Sequence, residues 1–156
     1  MGANTDPIYS RNGLLGTADI TNSATALTTS NGAASTGVTG AAGEMFVCAT
    51  ADATNGSYIA NIRLRWVASA PTVTTTTVVR LYISSVSSGA TTNLNTDCFE
   101  EITMGAQTAA SASFSTYPYD IPCGFILPAG KTILASVHQK PAANTEIQVI
   151  VRGGNY

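Results

Sequence analysis

Apolar and polar positions alternate along several stretches of the chain. In SYIANIRLRWV, Tyr58, Ala60, Ile62, Leu64 and Trp66 fall on one side, and Ile59, Asn61, Arg63 and Arg65 on the other. In VVRLYISS, Val79, Leu81 and Ile83 share a side, while Arg80 and Tyr82 point away. Ile133, Ala135 and Val137 repeat the pattern in KTILASVHQK, as do Ile147, Val149 and Val151 in EIQVIVR. A period of two is the mark of a strand with one face in a core and the other toward solvent or a partner. EMFVCATA is rich in strand formers and ends at the turn signal ADATNGS, and FEEITM reads as a short strand. The run of four Thr before VVRLYISS suits an extended edge, because branching at Cβ disfavours helix. FSTYPYDIP reads as extended chain whose pairing Pro118 and Pro122 restrict. GFILPAGKTILASV reads as strand, Pro-Ala-Gly turn and strand.

These stretches make about eight strands at short spacing with turn signals between them, which predicts an all-β, single-domain β-sandwich or jelly roll. GAQTAASAS is a loop with room for one helical turn. The N-terminal part breaks the pattern. From Gly16 to Gly43 the chain is Thr, Ser, Ala and Gly, with Ile20, Leu27 and Val38 as its apolar anchors. Alone, such a segment cannot bury enough surface to offset its ordering entropy. We therefore expect an extended N-terminal arm over residues 1–43 and a β-sandwich over 44–156. The arm is expected to lie across its own sandwich or on a neighbouring subunit, with at least a partial role for the neighbour.

Composition narrows the class. The 156 residues fit one domain, and charged residues are 10%, against roughly 25% in an average soluble domain. The surface is then largely hydroxyl, amide and methyl, which suits a protein packed in an assembly, or a secreted or thermally tough β-protein. A formal charge of −2 argues against a nucleic-acid partner, which calls for a basic face. No apolar run approaches the roughly 18 residues of a membrane span. MGANTDPIYS lacks the basic start and apolar stretch of a secretion signal, and Asp6 stands where a myristoylation signal has Ser or Thr. Cys48, Cys98 and Cys123 are far apart and odd in number, so no disulfide framework or metal cluster is expected, and Cys48 and Cys123 read as small core residues.

No motif announces a reaction. GFILPAGKT has five residues between Gly124 and Gly130, one more than a phosphate-binding loop, and Pro128 removes an N–H such a loop would use. His138, the one histidine, falls opposite Ile133, Ala135 and Val137 and has no nucleophile elbow to serve. Glu100 and Glu101 are adjacent on a strand and so face opposite ways. NLNTD has the oxygen spacing of a calcium loop but carries Cys98 where glycine belongs. Trp66 and Tyr58 fall on the core face, leaving Tyr82, Tyr117, Tyr119 and Tyr156 for contacts with protein or glycan. We expect no enzyme, no cofactor and no metal.

Arg63, Arg65, Arg80 and Arg152 all fall on outward faces. In a chain with so little charge, outward arginines point to contacts, since guanidinium forms bidentate pairs and is common at interfaces. With Tyr82 and Tyr156 they are the candidate interface residues.

GFILPAGKTILASV, followed by EIQVIVRGGNY, resembles a recurring type of small bacteriophage structural protein, in which an LPAG turn leads into a strand and the last strand runs into Gly-Gly-Asp/Asn-Tyr. SYIANIRLRWVA and VVRLYISS are similar to the middle of such proteins, so the resemblance spans residues 57 to 156. It implies a virion component with a jelly-roll-like fold, made in the bacterial cytoplasm and bound to other virion proteins, the major capsid protein first, as a homo-oligomer that decorates or cements the head. The alternative it implies is a tail or head fibre module that binds a host receptor or glycan, with loops near Asn93 and Tyr117 as the site. Asn155 replaces the acid expected there, which removes a charge.

Overall fold

A computed structural model of the chain describes residues 12–27, 43–69, 72–86, 91, 95–109, 114–115 and 118–156. In order, the strands are β1 (Asn12–Thr21), β2 (Phe46–Thr50), β3 (Ser57–Ala68), β4 (Thr72–Val73), β5 (Thr77–Ser84), β6 (Thr96–Met104), β7 (Thr108–Ala109), β8 (Phe114–Ser115), β9 (Tyr119–Leu127), β10 (Thr132–Val137) and β11 (Thr145–Asn155). The first sheet runs β1-β11-β3, with β9 and β8 pairing along different parts of β3. The second runs β2-β10-β5-β6, and β4 with β7 forms a small ribbon. All pairings are antiparallel.

Among the longer strands, β5 pairs with β6, β3 with β9, β2 with β10 and β1 with β11. These nested partners are those of one long hairpin rolled so that successive pairs alternate between two sheets, which is the jelly roll. The β-sandwich expected from the alternating pattern is therefore the observed fold.

The core lies between the sheets. Ile59, Ile62, Leu64 and Trp66 of β3 and Ile147, Val149 and Val151 of β11 face Val79 and Leu81 of β5 and Ile133, Ala135 and Val137 of β10. All are fully buried. Phe99 of β6 and Phe125 of β9 meet edge to face, ring centroids 5.6 Å apart, and join the sheets at one side.

Two expectations are corrected. Tyr58 does not share the core face with Ile62, Leu64 and Trp66: it is 39% exposed, and Ile59 is buried instead. The pairing of β3 shifts between Ile59 and Asn61, so Ala60 is an extra residue and the side-chain alternation inverts across it. The N-terminal segment is not an arm throughout. Asn12–Thr21 is a sheet strand, paired with β11 over its whole length without a register shift. Ile20, fully buried, anchors it in its own sandwich. Beyond β1, the Leu27 N–H donates to the Val137 carbonyl at 2.9 Å, and Leu27 packs with Met45, Tyr82 and Leu134. That cluster covers the outer side of the second sheet around Tyr82 and Leu134, where β10 is buried throughout. Val38, the third expected anchor, lies outside the described residues.

Gly16 fits where β1 crosses β2. A Cβ there would collide with the Cys48 carbonyl and lie 2.6 Å from the Ala49 Cβ. Gly16→Ala is therefore expected to cost about 1–3 kcal/mol through overpacking. Gly105→Ala, where a Cβ meets nothing within 4 Å, is expected to stay within about 0.5 kcal/mol. Urea denaturation midpoints check this, and equal midpoints would mean that β1 does not seat on β2 this closely.

Candidate functional site

The outer face of the first sheet is built in rows by the strand registers. One row holds Thr17, Ile150, Arg63 and Asp120; the next holds Leu15, Arg152, Asn61 and Pro122; a third holds Gly13, Gly154, Tyr58 and Ile126. Asp19, Gln148 and Arg65 form another row beside Thr17. Large apolar side chains stand open on this face: Leu15 is 69% exposed and Ile126 61%.

Two of the three arginines among them are held in fixed poses. Arg63 grips Asp120 with two parallel bonds, Nε to Oδ1 at 2.7 Å and Nη2 to Oδ2 at 2.9 Å. The guanidinium holds the Asp120 carboxyl below the usual carboxylate range, with Arg152 adding attraction, and Asp120 in turn raises Arg63. Arg65 donates through Nε and Nη2 to Gln148 Oε1 at 2.8 and 2.6 Å, and Gln148 donates onward to Glu146 at 3.1 Å. Arg152 is exposed and forms no ion pair with a described residue.

The other three candidates sit elsewhere, two of them on β5. Arg80 points outward from β5 but lies on the second sheet, pairs with Glu101 at 2.6 Å, and its side chain is only 12% exposed. Tyr82 also points away from the main core but is fully buried under Leu27 and Met45, its hydroxyl 2.8 Å from Ser136 Oγ. Burial pushes that hydroxyl up to about 12. A side chain with no open surface does not touch a partner, so Tyr82 is corrected from a contact residue to a structural one.

Tyr156 belongs to a third place, one end of the sandwich. Its N–H donates to the Gly56 carbonyl at 3.3 Å, and its carbonyl accepts from Asn55 Nδ2 at 3.2 Å. Ser57 Oγ donates to Asn155 Oδ1 at 2.6 Å and accepts from the Asp52 N–H at 2.9 Å. A hydroxyl donor serves an amide oxygen as well as a carboxylate, so the missing charge at Asn155 breaks no contact. The Gly130 N–H reaches the Asp52 carbonyl at 3.3 Å, which ties the Pro-Ala-Gly turn to the same loop. The Asn55 and Thr54 N–H groups hold the Asp52 carboxyl below its usual range. Gly153 is required here because a Cβ would strike the Tyr58 carbonyl where the sheet is bulged.

The segment after Lys131 is strand β10, not the helix a phosphate-binding loop opens. His138 is exposed at the end of β10. Among the described residues, no three of His, Cys, Asp and Glu converge as a metal site. The three thiols are free: Cys48 is buried, which pushes it up, Cys123 is half-buried and Cys98 is exposed. Asn93 and Tyr117 lie outside the described residues. A cleft of about 420 Å³ opens at the far end of the first sheet between Thr21–Ser23, Val67–Ser69 and Asn144–Glu146, and its lining is mainly apolar.

Alternation places Tyr58 in the core and marks neither Leu15 nor Ile126 as a surface contact. Leu15 and Ile126 nonetheless carry a signal: adjacent Leu14 and Leu15 cannot share a strand face, and neither can Phe125 and Ile126.

The Arg63–Asp120 pair sets a pH dependence. Asp120 is depressed in the folded protein, so its contribution to stability is present above the ordinary carboxylate range and fades as pH falls through its folded value. In Arg63→Gln the Asp120 midpoint, followed by carboxyl NMR, is expected to move up toward the ordinary range. An unmoved midpoint would show that Arg63 does not hold it.

No protein-family model matches the chain, and no curated protein matches it. Among solved structures, a chain of the cyanophage Pam1 capsid asymmetric unit aligns over 100% of this chain and 93% of its own, with 12% sequence identity and a TM-score of 0.36.

Proposed function

We propose that the chain is a structural virion component that docks on other virion proteins, the major capsid protein foremost, and decorates the phage head as a homo-oligomer. The observation that carries this is the outer face of the first sheet, where Leu15, Tyr58 and Ile126 stand open among Arg63, Arg65 and Arg152. Apolar and tyrosine side chains set among arginines make up the energetically decisive part of protein interfaces. Arg63 and Arg65 are already oriented by Asp120 and Gln148, so docking orders little that is not ordered beforehand. The likeness of the LPAG turn and the Gly-Gly-Asn-Tyr end to small phage structural proteins supports a virion as the assembly. The reading assigns the chain no reaction.

Immunogold labelling of intact particles is expected to place the protein over the head. On stripped capsids, Arg152→Glu and Ile126→Asp are each expected to weaken binding by about tenfold or more. Their circular dichroism should stay unchanged, since both side chains are exposed. Absence of the chain from the mass spectrum of purified virions would end this reading.

A second reading, a fibre module that binds a glycan, is favoured by the cleft alone. Its lining is mainly apolar, with a few hydroxyls, amides and one carboxylate that could fix a bound sugar, and its volume suits one sugar or two. Gold confined to a fibre tip, together with a hit on a glycan array, would select it.

A further inference from the structure

Among the described residues, the two main sheets end in the strands β1, β9, β2 and β6, and three of these edges carry devices that stop another strand from adding. On the first sheet, β9 has Pro122, which has no N–H, and a break in register beside Gly124. On the second sheet, β2 spans only Phe46–Thr50, with Cys48 bulged against β10. β6 is bulged at Phe99 and lined with Asp97, Glu100 and Glu101. Short length, proline, bulges and charge are the means by which edges are kept from pairing.

β1 is different. It is ten residues long, and its ladder with β11 runs from Asn12 to Thr21 without a shift. It has no proline, and Asp19 is its one charge. Between Asn12 and Ile20, its backbone makes no hydrogen bond to any described residue beyond the ladder with β11. At the centre of Asn12–Ala18 stands Leu15, the most exposed of the open large apolar side chains.

We infer that β1 is a self-pairing edge: two copies of the chain join by antiparallel addition of β1 to β1 about a two-fold axis at Leu15. This deepens the reading of the chain as an assembly part and rests on it only in that copies must meet. The strand's own pattern selects the second copy and the register. With the axis at Leu15, Leu15 faces Leu15 on the outer face and both leave water. Gly13 faces Thr17 and Asn12 faces Ala18, so no like charges oppose. An axis at Asp19 would set two carboxylates against each other. An isologous contact of this kind closes on itself, joining the first sheets of two molecules into one and leaving the rest of the arginine-bearing face open.

The test is a charge exchange at Leu15, read by sedimentation equilibrium of the pure protein. Wild type is expected to move with concentration from the 16.0 kDa chain mass to twice that value. Leu15→Glu and Leu15→Lys, each alone, are expected to weaken this association by about tenfold or more. An equimolar mixture of the two is expected to restore it, because Glu then faces Lys. Restoration also shows that both variants fold. In wild type, amides of Asn12–Ala18 should exchange with deuterium more slowly at high concentration than on dilution. A wild type that stays monomeric, variants that associate unchanged, a mixture that does not recover, or amide exchange independent of concentration would each overturn the inference. None of these outcomes touches the location of the chain in particles, which the gold labelling and virion mass spectrum decide separately.

Discussion

The whole arrangement hangs on the backbone ladder of β11. This strand is paired on both edges, with β1 over Asn12–Thr21 and with β3 over Ser57–Ala68. Its inward side chains, Ile147, Val149 and Val151, fill the middle of the core, and its outward ones, Gln148, Ile150 and Arg152, form the middle column of the arginine-bearing face. One strand therefore sets the position of core and surface together. The bulge opposite Gly153 is part of the same constraint. It resets the alternation of β3, turning Ile59 into the core and Tyr58 onto the open face.

Charge is scarce in this chain, and where it occurs it orients more than it stabilises. The Arg63–Asp120 pair is partly exposed on both sides, so its net contribution to folding is small. What the pair does is hold a planar cation in one pose on a rigid sheet. Arg65 is held likewise by a neutral amide, which leaves its charge uncompensated by its direct partner. A surface built this way loses little entropy on meeting a partner, and its apolar neighbours supply the gain from leaving water.

The alternating strands β3, β5, β10 and β11 were legible because their inward residues are large and their outward ones polar, and the roll follows from their spacing. β1 was not legible. Half of its residues are Gly, Thr and Ala, and what holds it is the ladder to β11, which any sequence can make and none advertises. The outward direction of Tyr82 was readable and its burial was not, since its cover comes from Leu27 and Met45, far away in the chain. The arginines' direction was readable for the same local reason. Their partners were hidden, because Asp120 and Gln148 lie 57 and 83 residues away from Arg63 and Arg65. Alternation reports which way a side chain leaves the backbone and is silent about what waits there.

The cover over part of the second sheet has a consequence for how the two sides of the molecule differ. Leu27 and Met45 seal Tyr82 and Leu134 on β5 and β10, while Cys98 and Glu101 on β6 beside them stay in water. Among the described residues, Val47 is the one large apolar side chain left open on that outer face, whereas Leu15, Tyr58 and Ile126 stand open on the first sheet. A contact made on the second sheet would rest more on charge and weaken with salt, and one made on the first sheet would draw more on apolar burial.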